Sequence, residues 1–386
     1  MNPDWQTIRG MDQAHWDSLC KSLRETLLNN AEDEARITSL RAELLARVSR
    51  NPSDDPRLIE FLSALATFCH DSEFVFAVSR KEIEQLEKLS LGRSAAEDLI
   101  IRCYRAVEKQ VLPIDEIERL SPITNETSVA VQSMYEESPY PRWKILPIGA
   151  QDNNSNDCLI AGCGSGRHVL MNAAASPRSR FVGIDLSLAS LAYGLMKARQ
   201  YGIGNVRLIQ ADMLEIEKLG LTFDHISAVG SVHHMQEPLK GVKALGGVLK
   251  PDGRLKLAVY SKAGRAPQLA GIALRRDLGL PPTREGIQEL RRIIYELPSD
   301  HPAKPVLKNP DFYTISGCRD LLFHVQEHNY TIPDIFELIG ASGLRLHSFI
   351  LPDQIKDMAP TRENLIKLEQ TNPGFAGSMF RFVLMN

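Results

Sequence analysis

The stretch Asp157-Cys-Leu-Ile-Ala-Gly162-Cys-Gly164-Ser-Gly166-Arg-His168 decides the reading of this chain. It joins a short apolar run to three glycines at alternate positions and then to a helical pattern. The apolar run reads as a buried strand and the glycines as a tight turn. A second apolar run, Phe181-Val-Gly-Ile184, ends in Asp185, nineteen residues after Gly166. Glycines let a backbone come close to a ligand that a Cβ would block. The following helix offers unpaired N–H groups to a negative group. A carboxylate at the tip of the next strand can accept both hydroxyl protons of a ribose. The stretch therefore places a nucleoside at the first strand-to-helix bend.

The spacing is G-x-G-x-G, whereas the dinucleotide fingerprint is G-x-G-x-x-G. Downstream, Asn205-Val-Arg-Leu-Ile-Gln-Ala-Asp212 reads as a third strand ending in an acid. Phe223-Asp-His-Ile-Ser-Ala-Val-Gly230 reads as a fourth, and Pro251-Asp-Gly-Arg-Leu-Lys-Leu-Ala-Val-Tyr260 as a turn and a fifth. In this order the elements resemble the class I S-adenosylmethionine (SAM)-dependent methyltransferases. The resemblance implies an α/β, Rossmann-like, mostly parallel sheet of seven strands with the last antiparallel, and a helical region ahead of it. Leu344–Leu351 and Ser378–Leu384 alternate in the strand manner and would complete that sheet.

The same resemblance implies site residues. Gly162, Cys163, Gly164 and Gly166 would line the cofactor loop. Asp185 with Leu186 would meet the ribose, Asp212 with Met213 the adenine, and Gly230 the wall beside the methyl group. The family usually carries an acid two positions before the first glycine, and this chain has Ile160 there. That departure keeps a non-catalytic SAM-binding scaffold open as an alternative, beside an NAD(P)-dependent enzyme on the same sheet type.

Composition sets outer bounds. The chain has 386 residues, 43% of them hydrophobic, and a net charge of −3, which leaves no electrostatic footprint for nucleic acid. The Asn/Asp-Pro-Pro-Tyr signature of amino-group nucleic-acid methylases is absent. No run of about 18 apolar residues is present, so no membrane span is expected. The N-terminus lacks the basic start and apolar core of a signal peptide. The six cysteines are scattered with no CxxC pair and read as free thiols of a cytoplasmic protein.

Three regions follow. Residues 1–125 are a helical N-terminal region, with apolar spacing over Asp12–Leu28, Ala31–Val48, Pro56–Cys69 and Ser94–Val111. Asn51-Pro-Ser-Asp-Asp-Pro56 is a turn cluster, and Ser79 with Glu82 forms a capping box. This region could serve as a cap, a homo-oligomer face or a partner module. Residues 126–156 are an aromatic and proline linker. Residues 157–386 form the methyltransferase domain, with 262–330 inserted as a lid over the acceptor. Phe61–Phe76, Tyr135–Trp143, Arg319–His328 and Gly374–Phe380 resemble bacterial methyltransferases often fused to tetratricopeptide repeats. That group supports the reaction class and leaves the acceptor open between a small molecule, which is favoured, and a protein side chain.

Candidate acceptor-side residues fall in three places. His233 and His234 follow the fourth strand and could act as base or hold the acceptor. Tyr135, Tyr140, Arg142 and Trp143 combine aromatic faces suited to a sulfonium with a guanidinium suited to a carboxylate. The alternative there is a linker whose aromatics staple the helical region to the sheet. His324-Val-Gln-Glu327-His328 matches H-x-x-E-H, a spacing that on a helix can bind zinc with the glutamate as base. No third ligand motif follows, so no metal is assigned. His324, Glu327, His328 and the upstream Arg319 are instead expected in the acceptor pocket, with a metalloenzyme kept as a further alternative.

Overall fold

The computed structural model describes residues 4–51, 55–107, 111–137 and 139–386. Parts of three sequence features lie outside these residues: 52–54 in the Asn51–Pro56 turn cluster, 108–110 at the end of the expected 94–111 helix, and Ser138 in the aromatic linker. The chain divides into two compact units. One comprises Met1–Val111, Arg142–Ile145 and Ala270–Phe323; the other comprises Leu112–Pro141, Leu146–Leu269 and His324–Asn386.

The second unit is built on one sheet. Its strands are β1 (Glu118–Arg119), β2 (Asp157–Ala161), β3 (Arg180–Asp185), β4 (Val206–Gln210), β5 (Phe223–Val229), β6 (Leu249–Tyr260), β7 (Arg345–Phe349) and β8 (Met379–Met385). Their spatial order is β1-β4-β3-β2-β5-β6-β8-β7. β8 runs antiparallel to both β6 and β7, and the other pairings are parallel. The sheet thus has the mostly parallel Rossmann-like form with an antiparallel final strand, plus one strand beyond the expected seven. That extra edge strand is two charged residues long; Glu118 is in register with Ile209 on β4, and its carboxylate pairs with Arg207 at 2.6 Å.

After the edge strand β1, the chain takes the central position of the sheet with β2, fills one side through β3 and β4, then crosses to β5 and β6. The switch point therefore lies between β2 and β5, where such sheets bind ligands beyond the carboxyl ends of their strands. Residues facing one side of the sheet, including Leu159, Ile226, Leu255, Leu257 and Phe382, join the apolar core. The helices Pro238–Gly247 and Ile332–Ser342 contribute Val242, Leu245, Ile335 and Ile339 to it. The last of these helices opens on a capping box in which Thr331 and Asp334 satisfy each other's backbone N–H groups.

The first unit is helical. Gln13–Glu25, Ala31–Arg50 and Pro56–Asp71 follow the sequence periodicity closely. The Ser79–Glu82 capping box is formed. The expected helix from residue 94 is shorter and covers Ala95–Arg102. Residues 270–323 pack in this unit through the helices Arg284–Glu296 and Ile315–Phe323. Buried Arg291 ties them to the N-terminal helices, bonding the Phe312 carbonyl at 2.8 Å and the Glu34 carboxylate at 2.6 Å. Among the described residues, no helix is long and apolar enough to cross a membrane.

Candidate functional site

Gly162, Gly164 and Gly166 follow β2 with φ of +71°, +53° and +85°, the left-handed region that favours glycine. Space requires the first two as well. A Cβ on Gly162 would meet the Ser231 Cβ at 2.3 Å, and one on Gly164 would meet the Tyr140 carbonyl oxygen at 2.6 Å. The bend is therefore pressed from two sides by other segments. Ser231, just past β5, donates its hydroxyl to the Ala161 carbonyl at 3.0 Å. The Ser165 N–H donates to the Tyr140 carbonyl at 2.9 Å, and the Ser165 hydroxyl bonds the Pro141 carbonyl. Tyr140 and Pro141 are thus docked on the glycine bend.

Asp185 closes the bend from β3. Its Oδ2 accepts the Gly164 N–H at 2.7 Å and its Oδ1 the Ser187 N–H at 3.0 Å. Burial raises its pKa above the usual carboxylate value, and the nearby Glu136 adds to the rise. A carboxylate has roughly four acceptor sites, so two remain for a diol. Leu186 follows, its carbonyl held by the Gln210 amide at 2.9 Å. Asp212, after β4, is buried and caps the next turn through the Leu214 N–H at 2.9 Å, with Met213 buried beside it. Gly230 has φ +80°, and a Cβ there would meet nothing closer than the Met379 Cε at 4.0 Å. That open position beside the switch point, with Asp185 across it, fits a nucleoside cofactor. Burial holds the Cys163 thiol well above its ordinary pKa, and Cys163 packs over Gly183. It is a filler of the turn and no nucleophile.

One residue here went unread in the sequence. Glu136 accepts the Leu188 and Ala189 N–H groups at 2.6 and 3.1 Å, capping the helix Leu188–Gln200 that follows β3. Its only sequence signal is that of one of two adjacent acids, Glu136 and Glu137, which specifies nothing.

The expected acceptor-side residues form a continuous series of rings within the sheet unit. Tyr140 stacks on Tyr135 with centroids 5.9 Å apart. Tyr135 lies 6.0 Å from His324, and His324 stacks on His234 at 3.6 Å. His234 adjoins His233 at 4.3 Å, and His233 lies 3.7 Å from Tyr260 at the end of β6. The Arg265 guanidinium sits 3.6 Å over Tyr260 and pairs with Glu327 at 2.9 Å. Both Arg265 and Glu327 are largely buried, so the pair is internally neutralised.

Protonation follows from the bonds. Nδ1 of His234 lies 2.7 Å from the Gln326 carbonyl, which can only accept, so that nitrogen carries the proton. Nδ1 of His324 accepts the Gln326 N–H at 3.1 Å, so the proton of the neutral ring sits on Nε2. Burial pushes the His324 pKa down to about 4. His233 is fully buried, neither ring nitrogen has a hydrogen-bond partner among the described residues, and burial holds its pKa well below the ordinary value. At neutral pH, then, His233 and His324 are uncharged.

The segment His324–His328 is not helical and bends at Val325, correcting the expectation of a helical H-x-x-E-H face. The helix ends at Phe323. The His328 N–H donates to the His233 carbonyl at 2.8 Å and the Tyr330 N–H to the Tyr260 carbonyl at 2.8 Å, drawing the segment along the end of β6. His328 instead lies with Nε2 3.1 Å from the Met235 carbonyl.

Arg142, Trp143 and Arg319 belong to the helical unit. Arg142 is paired with Glu73 at 3.1 Å, and Glu73 also accepts the Ser316 N–H. Glu73 and Phe74 hold φ of +56° and +52°, and Arg284 donates to the Glu73 carbonyl at 2.7 Å. Trp143 is buried, and the neighbouring Lys144 pairs with Asp71 at 2.8 Å. Arg319 lies on the helix Ile315–Phe323.

Residues 159–253 match the methyltransferase domain family. That stretch is similar to a methyltransferase domain. The matched segment starts inside β2 and ends in β6, so it contains the glycine bend, Asp185, Asp212 and the histidines after β5. The chain is 28% identical over 200 residues to an uncharacterised protein, syc1184_c, of Synechococcus sp., covering 50% of this chain and 48% of that one. It is 28% identical over 161 residues to the ubiquinone biosynthesis O-methyltransferase of Haemophilus ducreyi, covering 40% of this chain and 65% of the relative. The chain spans about half the length of the first of these. Among solved structures it is similar to PKMT2 from Rickettsia typhi, with a TM-score of 0.48 and 14% identity over 67% of this chain and 52% of that one.

Proposed function

We propose that this chain transfers the methyl group of SAM to a small-molecule acceptor seated against the ring series of Tyr135, His324, His234, His233 and Tyr260. When bound, SAM supplies a methyl group already activated by the sulfonium. The work left to the chain is positioning, water exclusion and, for an acceptor that must lose a proton, a base. Asp185 would take the ribose hydroxyls, with Asp212 and Met213 on the adenine side. The faces of Tyr135 and Tyr140 would favour the sulfonium.

The observation that carries this reading is the continuity of the rings with the glycine bend. Tyr140 is bonded to that bend through its carbonyl and begins the ring series through its side chain. Neutral imidazoles in a mostly apolar wall suit an uncharged acceptor with a planar face. His324 offers an N–H donor. His233 is the base candidate, since a depressed pKa keeps it unprotonated at neutral pH.

The test is a small-molecule extract incubated with the protein and methyl-labelled SAM, read by mass spectrometry. Label appearing in a small-molecule product, and lost with His233→Gln, supports the proposal. Label appearing only in protein would move the acceptor to a side chain. A second reading, SAM binding without transfer, is favoured by Ile160, which removes the acid that commonly organises the methionine end. Cofactor binding with no label transfer in any fraction would select it.

A further inference from the structure

The sheet face opposite the apolar core holds a cavity of about 500 Å³. Its floor is two neighbouring rungs. Cys158, His225 and Arg254 are register partners across β2, β5 and β6. Ile160, Ser227, Lys256, Val383 and Ser348 are partners across β2, β5, β6, β8 and β7. Side chains two positions apart share a face, so both rungs point the same way, while Ile226, Leu255 and Leu257 turn to the core.

The floor is cationic at its centre. The Lys256 side chain makes no hydrogen bond or ion pair among the described residues, and its charge adds to the burial that lowers the pKa of His168 on the flanking helix. Among the described residues, the Arg254 side chain bonds only the backbone carbonyls of Asp252 and Gly253. His225 and His347 also line the cavity. Ser227 Oγ is buried with no partner among the described residues. Among the described residues, the one carboxylate on the lining is Asp152, which already accepts the Ser176 hydroxyl at 2.9 Å and the Asn154 N–H at 3.0 Å. The nearby acids Asp157 and Asp224 are both paired with Lys250.

Two permanent cations, several imidazoles and an unsatisfied hydroxyl in one concave site attract an anion, because low-dielectric walls focus their field. The volume falls in the range of small-molecule sites, roughly 300–1,000 Å³. We propose that this cavity binds a small phosphorylated metabolite, its phosphoryl group on Lys256 and Arg254 and its hydroxyls toward Ser227 and the amides of Asn154 and Asn156. Neither the glycine bend nor Asp185, Asp212 or the ring series lines it, so the site is separate from that of methyl transfer.

The test is calorimetric titration of the full chain with ribose 5-phosphate and with inorganic phosphate near 0.15 M salt. Ribose 5-phosphate binds saturably and more tightly than inorganic phosphate. Lys256→Gln weakens it by about tenfold or more, the effect of one charge-assisted contact. Lys240→Gln, at an exposed lysine paired with Glu237, leaves it unchanged. SAM affinity is unaltered in both variants, so a failure here is distinguishable from a failure of the methyltransferase reading. No saturable binding, equal affinity for the two probes, or equal loss in both variants overturns the assignment.

Discussion

Replacing Asp185 tests the cofactor site most directly. Its two oxygens carry roughly four acceptor positions, and the loop uses two of them, through the Gly164 and Ser187 N–H groups. The remaining two match the two hydroxyls of a ribose. A hydrogen bond to a charged group contributes about 1.5–3 kcal/mol. With two such bonds at the lower end, Asp185→Ala costs about 3 kcal/mol of SAM binding, roughly a hundredfold in Kd. Asp185→Asn keeps one oxygen and places an amide donor against one of the loop N–H groups. It loses about one contact, roughly tenfold. S-adenosylhomocysteine shares the ribose, so its affinity falls by the same factor. The assay is calorimetric titration of both nucleosides, with thermal melting to verify folding. Asp157→Asn is the control, because that acid sits at the opposite end of β2, paired with Arg180 and Lys250. A Kd for Asp185→Ala within twofold of the unmodified protein would refute the ribose role.

Three further expectations are independent of it. Gly162→Ala combines a left-handed φ with a Cβ 2.3 Å from the Ser231 Cβ; it destabilises by about 2–3 kcal/mol in urea unfolding, from the backbone penalty plus overpacking. Arg142→Met leaves buried Glu73 without its counter-charge and costs about 3 kcal/mol of stability, with SAM affinity unchanged; unchanged stability with lost turnover would instead place Arg142 at a ligand. Stability falls with acid through His324: the unfolded chain protonates this imidazole near pH 6.5, the folded one near 4. Between those values the unfolded state binds more protons, so stability is full above pH 6.5 and is lost progressively toward pH 4, by about 2 kcal/mol after allowing for partial exposure. Melting of His324→Gln across that window shows a shallower slope.

The parallel strands were legible from near-continuous apolar runs such as Phe181–Ile184, whose side chains are buried. The acids at their tips were legible for the same reason, standing at abrupt ends of those runs. β1 was not, since Glu118 and Arg119 carry no apolar signal and pair only at an edge. The non-helical course of His324–His328 was also hidden. Its spacing is compatible with a helix, and what decides it is bonding to the carbonyls of His233 and Tyr260, far away in the chain. The ring series was visible as separate aromatic clusters but not as one wall, because its members span residues 135 to 324. Glu136 shows the general limit: its partners are backbone amides, which every residue possesses and no pattern marks.

The crowding at the first bend restricts how this scaffold could be diversified. Position 162 has no room for a side chain while position 231 carries one, and position 164 has none while the Tyr140 carbonyl stays where it is. Variation at either glycine is therefore tied to a compensating change in a segment about 70 residues downstream or about 24 upstream. Mutant libraries meant to retune acceptor choice should randomise the imidazole and phenol positions and leave this knot intact. A variant that loosened it would lose the shape of the glycine bend before any new substrate preference could be scored.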